Sequence, residues 1–171
     1  MAQNYTLHRL NQLDQWAFTI VLGDIFEETP AIAAQAWFAR PFKTIADLHS
    51  AMVAVVRSLP LEEQEDLIQA HPDLGSRAQM ATASVQEQAG VGLDQLSAAD
   101  YQRLLTLNRA YQARFGFPFI IAVRNHTQAS IFAALEERLQ HSLDEERDRA
   151  LAEIFEIARL RLGDRVITEE Q

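Results

Sequence analysis

The chain is expected to be all-α, on three observations. Nearly every periodic apolar segment repeats at helical spacing. Helix-start residues (Ser, Thr, Asn, Asp) recur just ahead of those segments. Only one short apolar run reads as extended, and a lone run cannot build a sheet.

The elements follow in order. Asn11 can cap a helix through about Leu22, with Leu13, Trp16, Ala17, Ile20 and Val21 on one face. Thr29-Pro30 is a cap followed by proline at the first helical position; Ala33, Ala36 and Trp37 follow, and the helix ends before Pro41. Thr44 to Asp47 is the next start, with Ile45, Leu48, Met52, Val55 and Val56 as the inward stripe. Residues 61–70 form a further helix that Pro72 stops. Stretch 74–96 is the longest with weak periodicity. Ser97 opens a long helix carrying Tyr101, Leu104, Leu105, Asn108 and Tyr111, ending near Phe115-Gly116. Phe117 to Val123 is the extended run. Thr127 caps a helix with Ile131, Phe132, Leu135 and Leu139 inward. Ser142 and Glu145 form a capping box for a last helix running to about Val166 on Leu151, Ile154, Phe155, Ala158 and Leu162. No repeat or linker interrupts the pattern, so residues 1–171 are expected to form one domain.

Composition narrows the function classes. The 171 residues are 48% hydrophobic and 23% charged, ordinary for a globular protein. A net charge of -9 argues against nucleic acid and anionic membrane surfaces as partners. The chain has no cysteine, which excludes disulfides, thiolate nucleophiles and cysteine metal sites. No secretory signal, no C-terminal peroxisomal signal and no apolar run near the roughly 18 residues of a membrane helix is visible, so the cytoplasm is the expected compartment.

Common chemical motifs are absent from the sequence. His8, His49, His71, His126 and His141 show no i, i+4 pair, so no metal site is expected. Gly90-Val91-Gly92 lacks a third glycine and a preceding strand, and there is neither a Walker motif nor a serine-hydrolase elbow. His8, His49 and His141 fall on polar helix faces, and His126 fits a turn.

A polar set remains. His71, in Ala70-His71-Pro72-Asp73-Leu74, is an imidazole held where a helix must stop. It is either an acid/base for proton transfer or a complement to the helix dipole. Ser84, Glu87 and Gln88 share one face of a helical turn and offer a hydroxyl, a carboxylate and an amide to a small ring rich in N–H and C=O groups. Ser84 and Glu87 equally read as a capping box. Arg161 borders an apolar stripe, either snorkelling or reaching a buried anion, whereas Arg159 and Arg165 read as solvated.

Three motifs in order, Ala70-His71-Pro72-Asp73-Leu74, Ser84-Val85-Gln86-Glu87-Gln88-Ala89-Gly90 and Phe115 through Arg124, resemble the 2-oxo-4-hydroxy-4-carboxy-5-ureidoimidazoline (OHCU) decarboxylases. Arg40-Pro41-Phe42 and Leu160-Arg161-Leu162 add to the likeness, which covers about residues 7–166. Val91 stands where alanine is usual and Asn125 where glycine is common. The resemblance implies an all-helical fold, commonly a homodimer, and cofactor-independent decarboxylation of OHCU to (S)-allantoin, the last step of urate conversion to allantoin. By the same resemblance His71 and Glu87 are catalytic, and Pro72 fixes the turn and belongs to the substrate-binding set. Ser84, Val85, Gln86, Glu87 and Gln88 bind ureido and ring groups. The backbone of Phe119, Ile120, Ile121, Ala122 and Val123 lines a ring edge, and Arg161 pairs with anionic oxygen.

Two rivals belong to other classes. A helical binding module would explain the capped helices and acidic surface without chemistry. A decarboxylase or cyclic-amide hydrolase acting on another ureido compound would use the same polar set.

Overall fold

The computed structural model describes residues 4–75 and 82–168. The chain forms two compact units, residues 1–64 with 155–171, and residues 65–154. Helices dominate both, as the sequence predicts.

The first unit begins with β1 (Tyr5–Thr6), α1 (Leu7–Gln12) and α2 (Gln15–Leu22). It continues through α3 (Ala31–Ala36), a 3-10 turn at Trp37–Ala39, and α4 (Ile45–Ser58). β2 (Val166–Ile167) pairs in parallel with β1, Tyr5 beside Val166 and Thr6 beside Ile167. Strands this short carry no readable alternation, so the sequence does not announce them. Leu10, Phe18, Phe26, Met52 and Leu162 are among the buried core of this unit.

Three expectations change here. Asn11 is not a cap: it lies inside α1, and Asp14 caps α2 by accepting from Ala17 N at 2.8 Å. Asn11 instead uses both ends of its amide on one residue, donating to Phe42 O and accepting from Phe42 N, each at 2.8 Å. The inward residues of α2 are Phe18 and Leu22, while Trp16 is 75% and Ile20 67% exposed. Apolar residues surround this helix, so periodicity alone does not select its buried face. Thr29 does not cap α3; its hydroxyl donates to Glu27 O at 2.8 Å, and Pro30 takes the cap position without a side-chain bond.

α4 matches its reading closely. Thr44 accepts from Asp47 N at 3.0 Å while the Asp47 carboxylate accepts from Thr44 N at 3.0 Å, a complete capping box. Leu48, Met52 and Val56 form its buried stripe.

The second unit contains most of α5 (Leu61–Gln69), then α6 (Thr82–Gly90), α7 (Ala98–Phe115), α8 (Gln128–Arg138) and the first half of α9 (Leu143–Arg165). Ser97 caps α7 by accepting from Asp100 N at 3.1 Å, and Gly116 ends it at φ +79°. Thr127 and Ser142 cap α8 and α9 as expected. Tyr111 packs against Phe115 at 4.6 Å and edge-on to Phe119 at 5.3 Å between ring centroids, the aromatic centre of this core. Residues 117–123 are all buried and join no sheet. Among the described residues no helix is long and apolar enough to cross a membrane.

Candidate active site

His71 stands two residues beyond α5. Leu67 and Ile68 anchor that helix in the core, and His71 N donates to Ile68 O at 3.2 Å. The ring is buried, 7% exposed, with Nδ1 2.9 Å from Leu67 O. A carbonyl can only accept, so Nδ1 carries the proton. In the neutral ring the lone pair is therefore on Nε2, the tautomer suited to taking a proton there.

The turn after His71 is braced on two sides. Asn108 of α7 donates to Leu74 O at 3.0 Å, and Gln112 donates to Asp73 Oδ1 at 3.1 Å. Burial holds the Asp73 carboxyl above its ordinary range. Gly75 N donates to Gln88 Oε1 at 2.8 Å, which ties the histidine turn to α6. Gly75 sits at φ +65°, a backbone conformation that favours glycine, and an added Cβ would meet the Leu104 Cδ2 methyl at 2.6 Å.

α6 bears on one of the two readings of Ser84. The helix starts at Thr82, so Ser84 lies inside it and cannot be the N-cap of a box with Glu87. Ser84 and Gln88 are buried, Glu87 is half-buried, and Val85 and Gln86 point outward. Ser84 and Gln88, one helical turn apart, thus share an inward face that includes Glu87. Stretch 76–81, part of the weakly periodic region, lies outside the described residues.

The segment after α7 is held by charged side chains that the sequence reading passed over. Arg138 Nη1 donates to Ile120 O at 2.7 Å, and its guanidinium lies 4.3 Å over the Phe119 ring. Arg138 Nε is 3.0 and 3.1 Å from the oxygens of Glu146, which is fully buried. Tyr111 Oη also donates to Glu146, and His141 Nδ1 is 2.9 Å from it. Burial alone would raise the Glu146 carboxyl, but bonds from Arg138 and Tyr111 outweigh it and hold the group below its ordinary range. Ala122 N donates to Glu153 Oε2 at 2.9 Å.

His141 lies between α8 and α9 rather than on a polar helix face, and reaches the buried Glu146. His49 likewise has a partner, Phe155 O at 2.8 Å from Nε2. His126 matches its turn reading, with Nδ1 3.0 Å from Ser130 Oγ. The one available signal for the cluster was Glu146 and Glu153 on the inward side of the last helix, since a carboxylate facing a core requires a partner.

Arg161 belongs to the first unit and is buried. Its Nη1 lies 3.0 Å from Glu27 Oε2, so of the two readings it reaches a buried anion. Arg159 pairs with Glu156 at the surface, in keeping with a solvated side chain. Arg165 is not simply solvated: it holds both oxygens of Asp24, at 2.8 and 2.9 Å. Among the described residues, no three or more His, Asp or Glu side chains are grouped so as to hold a metal ion.

The family profile of OHCU decarboxylase matches residues 11–163. A 2-oxo-4-hydroxy-4-carboxy-5-ureidoimidazoline decarboxylase of Halalkalicoccus jeotgali is 41% identical over 170 residues, 97% of each chain. The enzyme of the same name from Haloferax volcanii is 43% identical over 164 residues, covering 96% of this chain and 98% of its own. A crystal structure of (S)-allantoin synthase superposes at TM-score 0.77 with 30% identity, over 95% of this chain and 54% of that one. The chain belongs to the OHCU decarboxylase family.

Proposed function

We propose that this chain, as one functional domain, decarboxylates OHCU to (S)-allantoin without a metal or organic cofactor, acting as a cytoplasmic homodimer. The observation that carries the reading is the match to OHCU decarboxylases over nearly the full length of both chains. The chemistry fits the residues. OHCU bears a carboxylate and a hydroxyl on one ring carbon. When CO2 leaves, the electrons of the broken C–C bond form a ring C=C as the adjacent C=N opens, and its nitrogen takes up a proton. The hydroxyl then gives up its proton as a carbonyl forms, and the neighbouring ring carbon takes one on a single face.

His71 is the group assigned to proton transfer, through Nε2, because Nδ1 is held by Leu67. Glu87, Gln88 and Ser84 bind the ureido and ring groups, and Val85 and Gln86, whose side chains are exposed, contribute main chain only. The backbone of residues 119–123 reads a ring edge, and Arg161 meets anionic oxygen. Taking the carboxylate out of water favours loss of CO2.

The test uses OHCU freshly made by urate oxidation and hydrolysis. The reading expects faster appearance of optically active allantoin, unaffected by a chelator. An unchanged rate points to a binding module, and chelator-sensitive ring opening to a hydrolase.

A further inference from the structure

Two buried charged side chains grip the main chain on either side of Ile121. Arg138 holds Ile120 O at 2.7 Å, and Glu153 holds Ala122 N at 2.9 Å. Both peptide bonds flanking Ile121 are trans. In a trans planar peptide the N–H and the C=O point in opposite directions. Fixing Ile120 O therefore aims Ile121 N–H away from Arg138, and fixing Ala122 N–H aims Ile121 C=O away from Glu153.

Just beyond Ile121 two carbonyls are engaged. Ala122 O accepts from Asn125 N at 3.0 Å and Val123 O from His126 N at 3.0 Å, closing the 3-10 turn at Val123–Asn125. Between the two grips, the Ile121 N–H and C=O make no hydrogen bond within the described residues, and such an adjacent donor and acceptor can complement the N–H/C=O edge of a cyclic ureide. Resting on the decarboxylase reading, we propose that Arg138 and Glu153 are positioning residues that hold the Ile121 peptide groups for the ureide edge of the substrate. Arg138 is itself fixed by the buried Glu146 carboxylate, so its grip on Ile120 is preorganised. Glu153 is steadied by Arg149 Nη2 at 2.7 Å on its other oxygen.

Two substitutions at Glu153 separate reach from charge. Glu153→Gln keeps an oxygen at the same distance from Ala122 N–H and loses the charge. Glu153→Asp keeps the charge and withdraws the oxygen by one methylene. With unfolding midpoints checked, the proposal expects Glu153→Asp to raise KM for OHCU and Kd for allantoin about tenfold, with kcat less affected. Glu153→Gln keeps the oxygen on Ala122 N–H but turns an amide NH2 toward Arg149, and should lose clearly less than Glu153→Asp on both. Parent-like KM and Kd in Glu153→Asp, or a loss in Glu153→Gln as large as in Glu153→Asp, overturns it. A parent chain that does not turn over OHCU defeats the decarboxylase reading instead, before either variant is compared.

Discussion

Arg161 Nη1 lies 3.0 Å from Glu27 Oε2, and both side chains are buried. Glu27 also sits between Ile25, whose carbonyl is 3.4 Å from the same guanidinium nitrogen, and the α3 start. A buried pair is not strong evidence of net stabilisation, but breaking one by removing a single partner typically costs about 3–5 kcal/mol. Glu27→Gln is therefore expected to lower the unfolding free energy by about 3 kcal/mol in urea titrations. A loss below about 0.5 kcal/mol would show that Arg161 does not depend on Glu27.

The Tyr111–Glu146 bond gives stability a dependence on pH at both ends. Glu146 is held below its ordinary range in the folded chain. Its contribution is present above the unfolded carboxylate value, about 4.3, and is lost as pH falls through the lower folded value. Tyr111 is raised, by burial first and by its bond to Glu146 second. Its contribution is present below the unfolded phenol value, about 10, and is lost as pH rises through the higher folded value. Tyr111→Phe should cost about 1–3 kcal/mol at pH 7 and shrink the loss above about pH 10. Urea midpoints of parent and variant between pH 7 and 11 measure both effects, and parallel curves contradict the assignment.

Two glycines with open surroundings should respond oppositely to alanine. Nothing lies within 4 Å of an added Cβ at Gly116 or Gly163. Gly116 is at φ +79°, so Gly116→Ala is strained and should destabilise by about 1–2 kcal/mol. Gly163 lies within α9, where alanine is the better helix former, so Gly163→Ala should stabilise by about 0.5–1 kcal/mol. Thermal unfolding of the two variants checks the sign of each.

Where a local rule governs, the sequence alone was enough. Thr44, Ser97, Thr127 and Ser142 cap the helices assigned to them, and Gly116 ends α7. Periodicity failed where apolar residues surround a helix, as in α2, or where an element is too short to repeat, as in β1 and β2. At the candidate site, the His71 turn and the inward face of α6 were legible because proline and i, i+4 spacing act locally. The supports of residues 119–123 were not: Arg138, Glu146 and Glu153 come from two later helices, and only packing brings them to Ile120 and Ala122. Asn108 of α7 is buried, bonds Leu74 O, and leaves Oδ1 without a hydrogen-bond partner among the described residues, a role its polarity in the sequence does not reveal.

In the proposed reaction His71 moves a proton as OHCU loses CO2. Its test is the initial rate of optically active allantoin formation from fresh OHCU by the parent, His71→Ala and Glu87→Ala chains, each confirmed folded by circular dichroism. The parent should accelerate the reaction, and each variant should lose at least ~100-fold in kcat/KM. Near-parental turnover by His71→Ala would rule out His71 as the acid/base.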